Sequence, residues 1–420
     1  MLNSVFAPVI FRYICLNNEL KMIATRSTTS FYLIAFFVFL LFSCQDKAAS
    51  GVASVVINDT ADGNFSVNML PVSSAYKTEK REIASAFFEK NWVKNKVSGG
   101  FLVAKNGEII YENYQGNSNV ENDTKITAAT PIHIASVSKV LTAAVVLRLI
   151  DAGKVKLSQN VNTILSPFPY ENITIETLLN HRSGLPNYAY FCDDRKVWDH
   201  SKTLTNQDVL DLLNKHQFPL QGGTDKRFAY CNTNYVILAL VIEKITKMNY
   251  REAMEELLFK PLKMTNTFVL NCNQDKDKVC QSYKGNNVRL AFDHLDGTYG
   301  DKNIYSTPRD LLKFDKATYS PNFLSPKLVE AVYKGYSYEH RGTRNYGLGI
   351  RIFEWDTGQK MFYHNGWWHG NTASYIKLKQ DTVAIIALSN KYTKQTFQSW
   401  KLAPSFGDYP FKLDKEEGEQ

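Results

Sequence analysis

The chain has 420 residues, of which 44% are hydrophobic and 21% charged, enough apolar content to bury one large core or two modest ones. That composition excludes a disordered or fibrous protein. The net charge of +8 is spread rather than blocked, since Lys and Arg alternate with Asp and Glu as in REAMEELLFK (251–260), which leaves no basic patch for nucleic acid.

In chain order, residues 1–21 precede a second methionine, Met22, and read as an upstream extension outside the fold. Residues 22–43 read as an export signal. Arg26 supplies the positive n-region, and the apolar stretch from Phe31 to Phe42 is shorter than the roughly 20 residues a membrane span requires. The sequence LFSC at its end resembles a bacterial lipobox, with Phe42 a departure at the middle position. Cys44 is then the expected lipidation site, anchoring an exported protein to the membrane on the periplasmic side or in the outer membrane. A retained anchor helix is the alternative. Residues 44–78, small and polar without sustained periodicity, read as a tether.

A folded domain is expected over 79–400, with a C-terminal tail over 401–420. Its first strand signal is GGFLVAKNGEIIYENYQG, two extended runs flanking Asn106 and Gly107, the residue pair favoured in tight hairpins. Four more strand-like runs close the domain: YGLGIRIFEW, QKMFYHNG, TASYIKLKQD and TVAIIALSN. Between the two groups the pattern is mainly helical, including SKVLTAAVVLRLIDAGKV and TNYVILALVIEKITKM. This order implies an α+β fold, in which one antiparallel sheet is assembled from both chain ends and a helical subdomain is inserted between them. Of six cysteines, Cys272 and Cys280 flank a polar loop and are compatible with a small disulfide or with two free thiols.

The chemistry begins at IASVSKVLTA (134–143). A serine and a lysine three residues apart share one helix face, so Ser136 and Lys139 are neighbours. A serine hydroxyl is a weak nucleophile, and an adjacent neutral amine can take its proton; the helix N-terminus and the Ser136 N–H can stabilise an oxyanion. Taken singly, the motif is a weak signal and reads first as a helix cap followed by a surface lysine. Two further blocks follow in order: Tyr230-Cys231-Asn232, ahead of a helical run, and His364-Asn365-Gly366 on a strand. His364 and His369 are five apart and lack zinc-ligand spacing, so no metal is expected. His181 is expected to support a loop or helix end. Of the adjacent Trp367 and Trp368, one should face the cleft.

With these blocks, residues 85–390 resemble the serine β-lactamase and penicillin-binding protein superfamily, in the branch of class C β-lactamases, D,D-carboxypeptidases and related esterases. LLNHRSGLP (178–186) and GDKNIYSTPRDLLKF (300–314) also match its patterns. The resemblance implies a β-lactamase/transpeptidase-like fold and a serine hydrolase without a cofactor, cleaving a small amide or ester through an acyl-enzyme on Ser136. It implies that Lys139 and Tyr230 relay the proton and that Asn232 hydrogen-bonds Lys139 and substrate. His364 would assist leaving-group protonation or carboxylate binding, Asn365 and Gly366 would line the substrate strand, and the Trp367 N–H would complete the oxyanion hole. Where β-lactamases of this branch present a lysine, this chain has His364, which is charged only part of the time near neutral pH. A D,D-peptidase, D-amino-acid peptidase or esterase is therefore expected ahead of a β-lactamase. A ligand-binding lipoprotein with a weak site is the remaining alternative.

Overall fold

The computed structural model describes residues 65–340 and 342–411. The expected signal, Cys44 and most of the tether lie outside them. Helix α1 (Ser74–Phe88) begins the described domain, capped by the Ser73 hydroxyl accepting the Tyr76 N–H. It begins within the stretch expected to be tether. Its buried Ala84 and Phe88 fix it to the sheet, and Phe87 stacks on Phe101 at 5.8 Å.

Strands β1 (Gly99–Lys105) and β2 (Glu108–Gln115) form the expected hairpin. Asn106 and Gly107 both take left-handed φ values, 51° and 70°, as the two central residues of a type I′ turn require. Next come β3 (Ile132–His133), α2 (Ser138–Asp151), α3 (Ile175–Leu179), α4 (Asn206–His216) and α5 (Thr233–Thr246). Short β4 (Phe268–Val269) and β5 (Ile304–Ser306) lead to α6 (Pro308–Ala317). The chain ends in β6 (Arg344–Tyr346), β7 (Arg351–Glu354), β8 (Lys360–Trp368), β9 (Asn371–Leu378) and β10 (Val383–Ser389).

The main sheet has the order β6-β7-β8-β9-β10-β1-β2, with every pair antiparallel. Both chain ends therefore build it, as the sequence pattern implied. YGLGIRIFEW, expected as one strand, is split into β6 and β7 by the turn at 347–350. A second sheet, β3-β5-β4, sits in the inserted region.

Both faces of the main sheet are covered, which explains why β10 reads VAIIALS without polar alternation. Ile385 and Ala387 pack with Phe101 and Trp92 on the face covered by α1. Ala384, Ile386 and Leu388 pack with the α2 and α5 residues on the other face. Helices α2 and α5 are buried nearly all round, as expected of central helices. Leu402, Ala403, Phe406 and Tyr409 pack into the α1-side core, so packed structure continues past residue 400 into the segment expected to be a tail. The physical reason is its apolar spacing, capped by Phe411 against Trp400 at 4.4 Å. Cys192, Cys231, Cys272 and Cys280 are free thiols. Among the described residues, no helix is long and apolar enough to cross a membrane.

Candidate active site

Between Ile132 and Leu149 every residue is buried except Ser136. The cause is local. A short 3-10 turn, Ala135–Val137, precedes α2, and Ala135 takes a left-handed φ of 47°, which lifts the next side chain out of the packed run. One turn along, Lys139 is fully buried. Its Nζ donates to Ser136 Oγ at 3.0 Å and to the Asp301 carbonyl at 2.8 Å. The ring faces of Tyr230 and Tyr235 lie 5.2 and 5.7 Å from the same nitrogen, a cation–π arrangement. The structure thus brings together the serine, the lysine and the tyrosine singled out in the sequence.

Tyr230 is held from below by the LLNHRSGLP segment. The His181 ring packs against it, tilted by 39° with centroids 4.3 Å apart, and accepts the Cys231 N–H at Nδ1 (3.1 Å), while the Ala229 N–H donates to the His181 carbonyl (2.9 Å). Ser183 Oγ bonds Asn234 Oδ1 at 2.6 Å, and Thr233 Oγ1 donates to the Pro186 carbonyl at 2.7 Å. His181 therefore supports a loop, as expected. Asn232 sits at the N-terminal boundary of α5 with its Oδ1 buried and without a hydrogen-bond partner. Among the described hydrogen bonds Lys139 is served by Asp301 instead.

Strand β8 forms the opposite wall. Its register with β7 ends at Arg351 opposite Tyr363, whereas residues through Trp368 continue to pair with β9. The stretch from His364 to Trp368 thus has a strand partner on one side among the described ladders, leaving the other side toward Ser136. Gly366 makes the approach possible, because a Cβ there would lie 2.5 Å from the Ile134 carbonyl and 3.0 Å from the Ser136 nitrogen. Trp367 is 64% exposed, and its indole N–H donates to the His369 carbonyl at 2.8 Å. Trp368 turns inward, its indole N–H donating to Asp296 Oδ1, so the two neighbouring tryptophans point to opposite sides of the strand.

His364 departs from expectation. It is fully buried rather than bordering the pocket, its Nε2 lies 3.0 Å from the Tyr346 hydroxyl and its Nδ1 lies 2.8 Å from the Asn365 carbonyl. The carbonyl can only accept, so Nδ1 carries the proton and Nε2 accepts from Tyr346. Burial, then the charges of Arg351 and Lys139, hold its pKa well below the ordinary imidazole value. A neutral imidazole so placed does not supply charge for a carboxylate, which corrects that part of the expectation. A permanently charged group does lie nearby on β7: the Arg351 guanidinium is 4.9 Å from the Tyr230 ring centroid. Asp301, Tyr346 and Arg351 escaped the sequence reading. GDKNIYST was visible there as a matching block, but a backbone carbonyl as the partner of Lys139 leaves no trace in residue type.

Asp293, Asp296 and His369 bring three donor atoms within 4.8 Å of one another. Asp296 accepts hydrogen bonds from Trp368 Nε1 (2.6 Å), His369 Nε2 (2.9 Å) and the Asp293 N–H (2.5 Å), so most of its acceptor capacity is used within the protein.

His133, His181 and His364 are all buried with depressed pKa values, His133 down to about 4, desolvation being the largest cause in each. In the unfolded chain each takes a proton near pH 6.5. The unfolded state then binds more protons below that pH, so stability is full above it and falls as pH drops toward 4. His133 by itself accounts for about 2 kcal/mol at pH 5. Thermal unfolding followed between pH 7.5 and 5 should show Tm falling steadily; a flat profile would show that the folded state accepts these protons.

A family model described as Beta-lactamase matches residues 84–403. Penicillin-binding protein 4* of Bacillus subtilis is 28% identical over 332 residues, 75% of this chain and 73% of the relative. Teichoic acid D-alanine hydrolase of Staphylococcus aureus is 26% identical over 253 residues, 58% of this chain and 61% of the relative. Among solved structures, D-amino acid amidase from Ochrobactrum anthropi SV3 superposes with a TM-score of 0.64 at 20% identity, covering 78% of this chain and 99% of the amidase; it shares the fold. With a nucleophile-like serine beside a buried lysine and the family model spanning the domain, the chain belongs to the Beta-lactamase family and is a serine hydrolase.

Proposed function

We propose that the protein cleaves a small amide or ester of the D-amino-acyl or D,D-peptide type through an acyl-enzyme on Ser136. The observation that carries the reading is the 3.0 Å bond between Lys139 Nζ and the one partly exposed residue of an otherwise buried segment. In its neutral form Lys139 takes the hydroxyl proton as Ser136 Oγ bonds to the substrate carbonyl carbon. The resulting oxyanion is received by the backbone N–H groups of Ser136 and Trp367 across the Gly366 approach. The relay of Lys139 and Tyr230 returns the proton to the departing amine or alcohol as the scissile bond breaks. Water then repeats the sequence on the acyl group and releases the acid.

His364 acts in this reading by orienting the strand through Tyr346, and Asn232 by accepting a substrate N–H. Arg351 is the anchor for a substrate carboxylate, which favours a peptide-like substrate over a neutral ester. The names of the Staphylococcus aureus and Ochrobactrum relatives, a D-alanine hydrolase and a D-amino acid amidase, support the substrate class. Export by the N-terminal signal and lipidation of Cys44, with the enzyme held at the cell envelope, complete the proposal.

The charge assignment has its own test. Arg351→Leu should raise KM for a D-alanyl-D-alanine peptide about tenfold or more, the loss expected of a charge-assisted hydrogen bond, and leave KM for p-nitrophenyl acetate within about twofold of wild type by the same reasoning. Equal effects on both substrates would remove the carboxylate-anchor role.

A further inference from the structure

Behind the nucleophilic turn lies a buried hydrogen-bond chain that the proposed chemistry does not use. The Ala135 N–H donates to His133 Nδ1 at 3.0 Å, and His133 Nε2 lies 3.0 Å from Asn303 Oδ1. Since Nδ1 must accept, Nε2 carries the proton and Asn303 Oδ1 accepts it. The Asn303 amide then donates to the backbone carbonyls of Asp296 (2.6 Å) and Thr298 (2.7 Å). The Asp296 carboxylate takes Trp368 Nε1 and His369 Nε2, at the end of β8. His133, Asn303 and Asp296 are each about 1% exposed.

Three non-glycine residues in this network have left-handed backbones: Ala135 (47°), Asn303 (70°) and His369 (51°). Asparagine tolerates that region, but alanine and histidine carry strain there that the surroundings must hold. Ala135 immediately precedes Ser136, and His369 closes the turn after Trp367 and Trp368. The two strained residues flank the two backbone N–H groups proposed as the oxyanion hole, and one chain of hydrogen bonds joins them.

We propose that the His133–Asn303–Asp296–Trp368/His369 chain is a positioning device, locking the Ser136 turn and the end of β8 in mutual register so that nucleophile and oxyanion donors converge on one carbonyl. The proposal rests on the reading of Ser136 as nucleophile. The groups facing His133 are Asn303, the Tyr305 ring at 5.1 Å, and the charges of Asp296, His369 and Lys302. Burial holds the imidazole neutral, its pKa lowered to about 4, which keeps Nδ1 free to accept.

The test uses the full chain in detergent, with p-nitrophenyl acetate as the probe and the initial acylation rate and KM as readouts. His133→Leu should acylate about tenfold or more slowly with KM within about threefold, as expected for misplacement of reacting groups rather than lost binding. His133→Asn, whose Oδ1 can stand where Nδ1 accepts the Ala135 N–H, should recover part of that rate. Trp368→Phe, which keeps an aromatic ring and removes the N–H to Asp296, should slow acylation several-fold and carries the test if His133→Leu fails to fold. Wild-type acylation by folded His133→Leu or by Trp368→Phe, or His133→Asn no faster than His133→Leu, overturns the device. Ser136→Ala runs in parallel: turnover equal to wild type there, or absent in both, overturns the nucleophile reading itself, an outcome separable from the others.

Discussion

Replacing Ser136 with alanine should lower ester turnover by on the order of 10⁴-fold or more, the loss seen when a covalent nucleophile is removed from a serine hydrolase, with no change in Tm. The side chain is partly exposed and its one described hydrogen bond is with Lys139 Nζ, so deleting it leaves no cavity in the core. Intact mass after incubation with benzylpenicillin gives the covalent readout. A lasting adduct of one acyl group on wild type and none on Ser136→Ala would identify the nucleophile and a slow deacylation suited to a peptidase. Consumption of the drug without a lasting adduct would favour the β-lactamase alternative. Undiminished ester hydrolysis by the alanine variant would sink the acyl-enzyme mechanism.

Lys139→Met should cost about 10³-fold in kcat, within the 10²–10⁴ range of a positioned general base, and change KM much less. Methionine keeps most of the buried volume but removes the donor to Ser136 Oγ and the Asp301 carbonyl. Lys139→Arg separates two roles for the residue. A guanidinium keeps the charge but cannot be deprotonated at working pH, so it should rescue nothing if the lysine moves a proton. Activity of Lys139→Arg near wild type would instead assign Lys139 an electrostatic role and pass the base function to Tyr230.

How much of this was legible beforehand differs by element. The hairpin at Asn106-Gly107 was legible because the positive φ it needs at both positions is written in residue type. Helix α1 was not assigned, since its apolar residues are few and its packing partners, Phe101 and Tyr111, lie on strands that form later in the chain. Residues 402–411 looked like a frayed end because their partners, Trp355 and Phe353, are some fifty residues upstream. Arg351 carried no signal: any of the chain's arginines has the same chemistry, and only the sheet register places this one beside Tyr230.

The order of residues by itself determined what depends on short range: the Ser136–Lys139 pair one helical turn apart, the strand character of both chain ends, and the family to which the motifs belong. Tertiary structure decided everything that joins distant segments. It paired Lys139 with the carbonyl of Asp301, buried His364 as a neutral imidazole against Tyr346, buried Asn232 Oδ1 without a described partner, and brought β8 onto the nucleophilic turn through Gly366. The reason is physical. Propensity and periodicity act over a few residues, whereas the charge state of a histidine and the partner of a lysine are set by burial and by backbone atoms that the fold supplies from elsewhere in the chain.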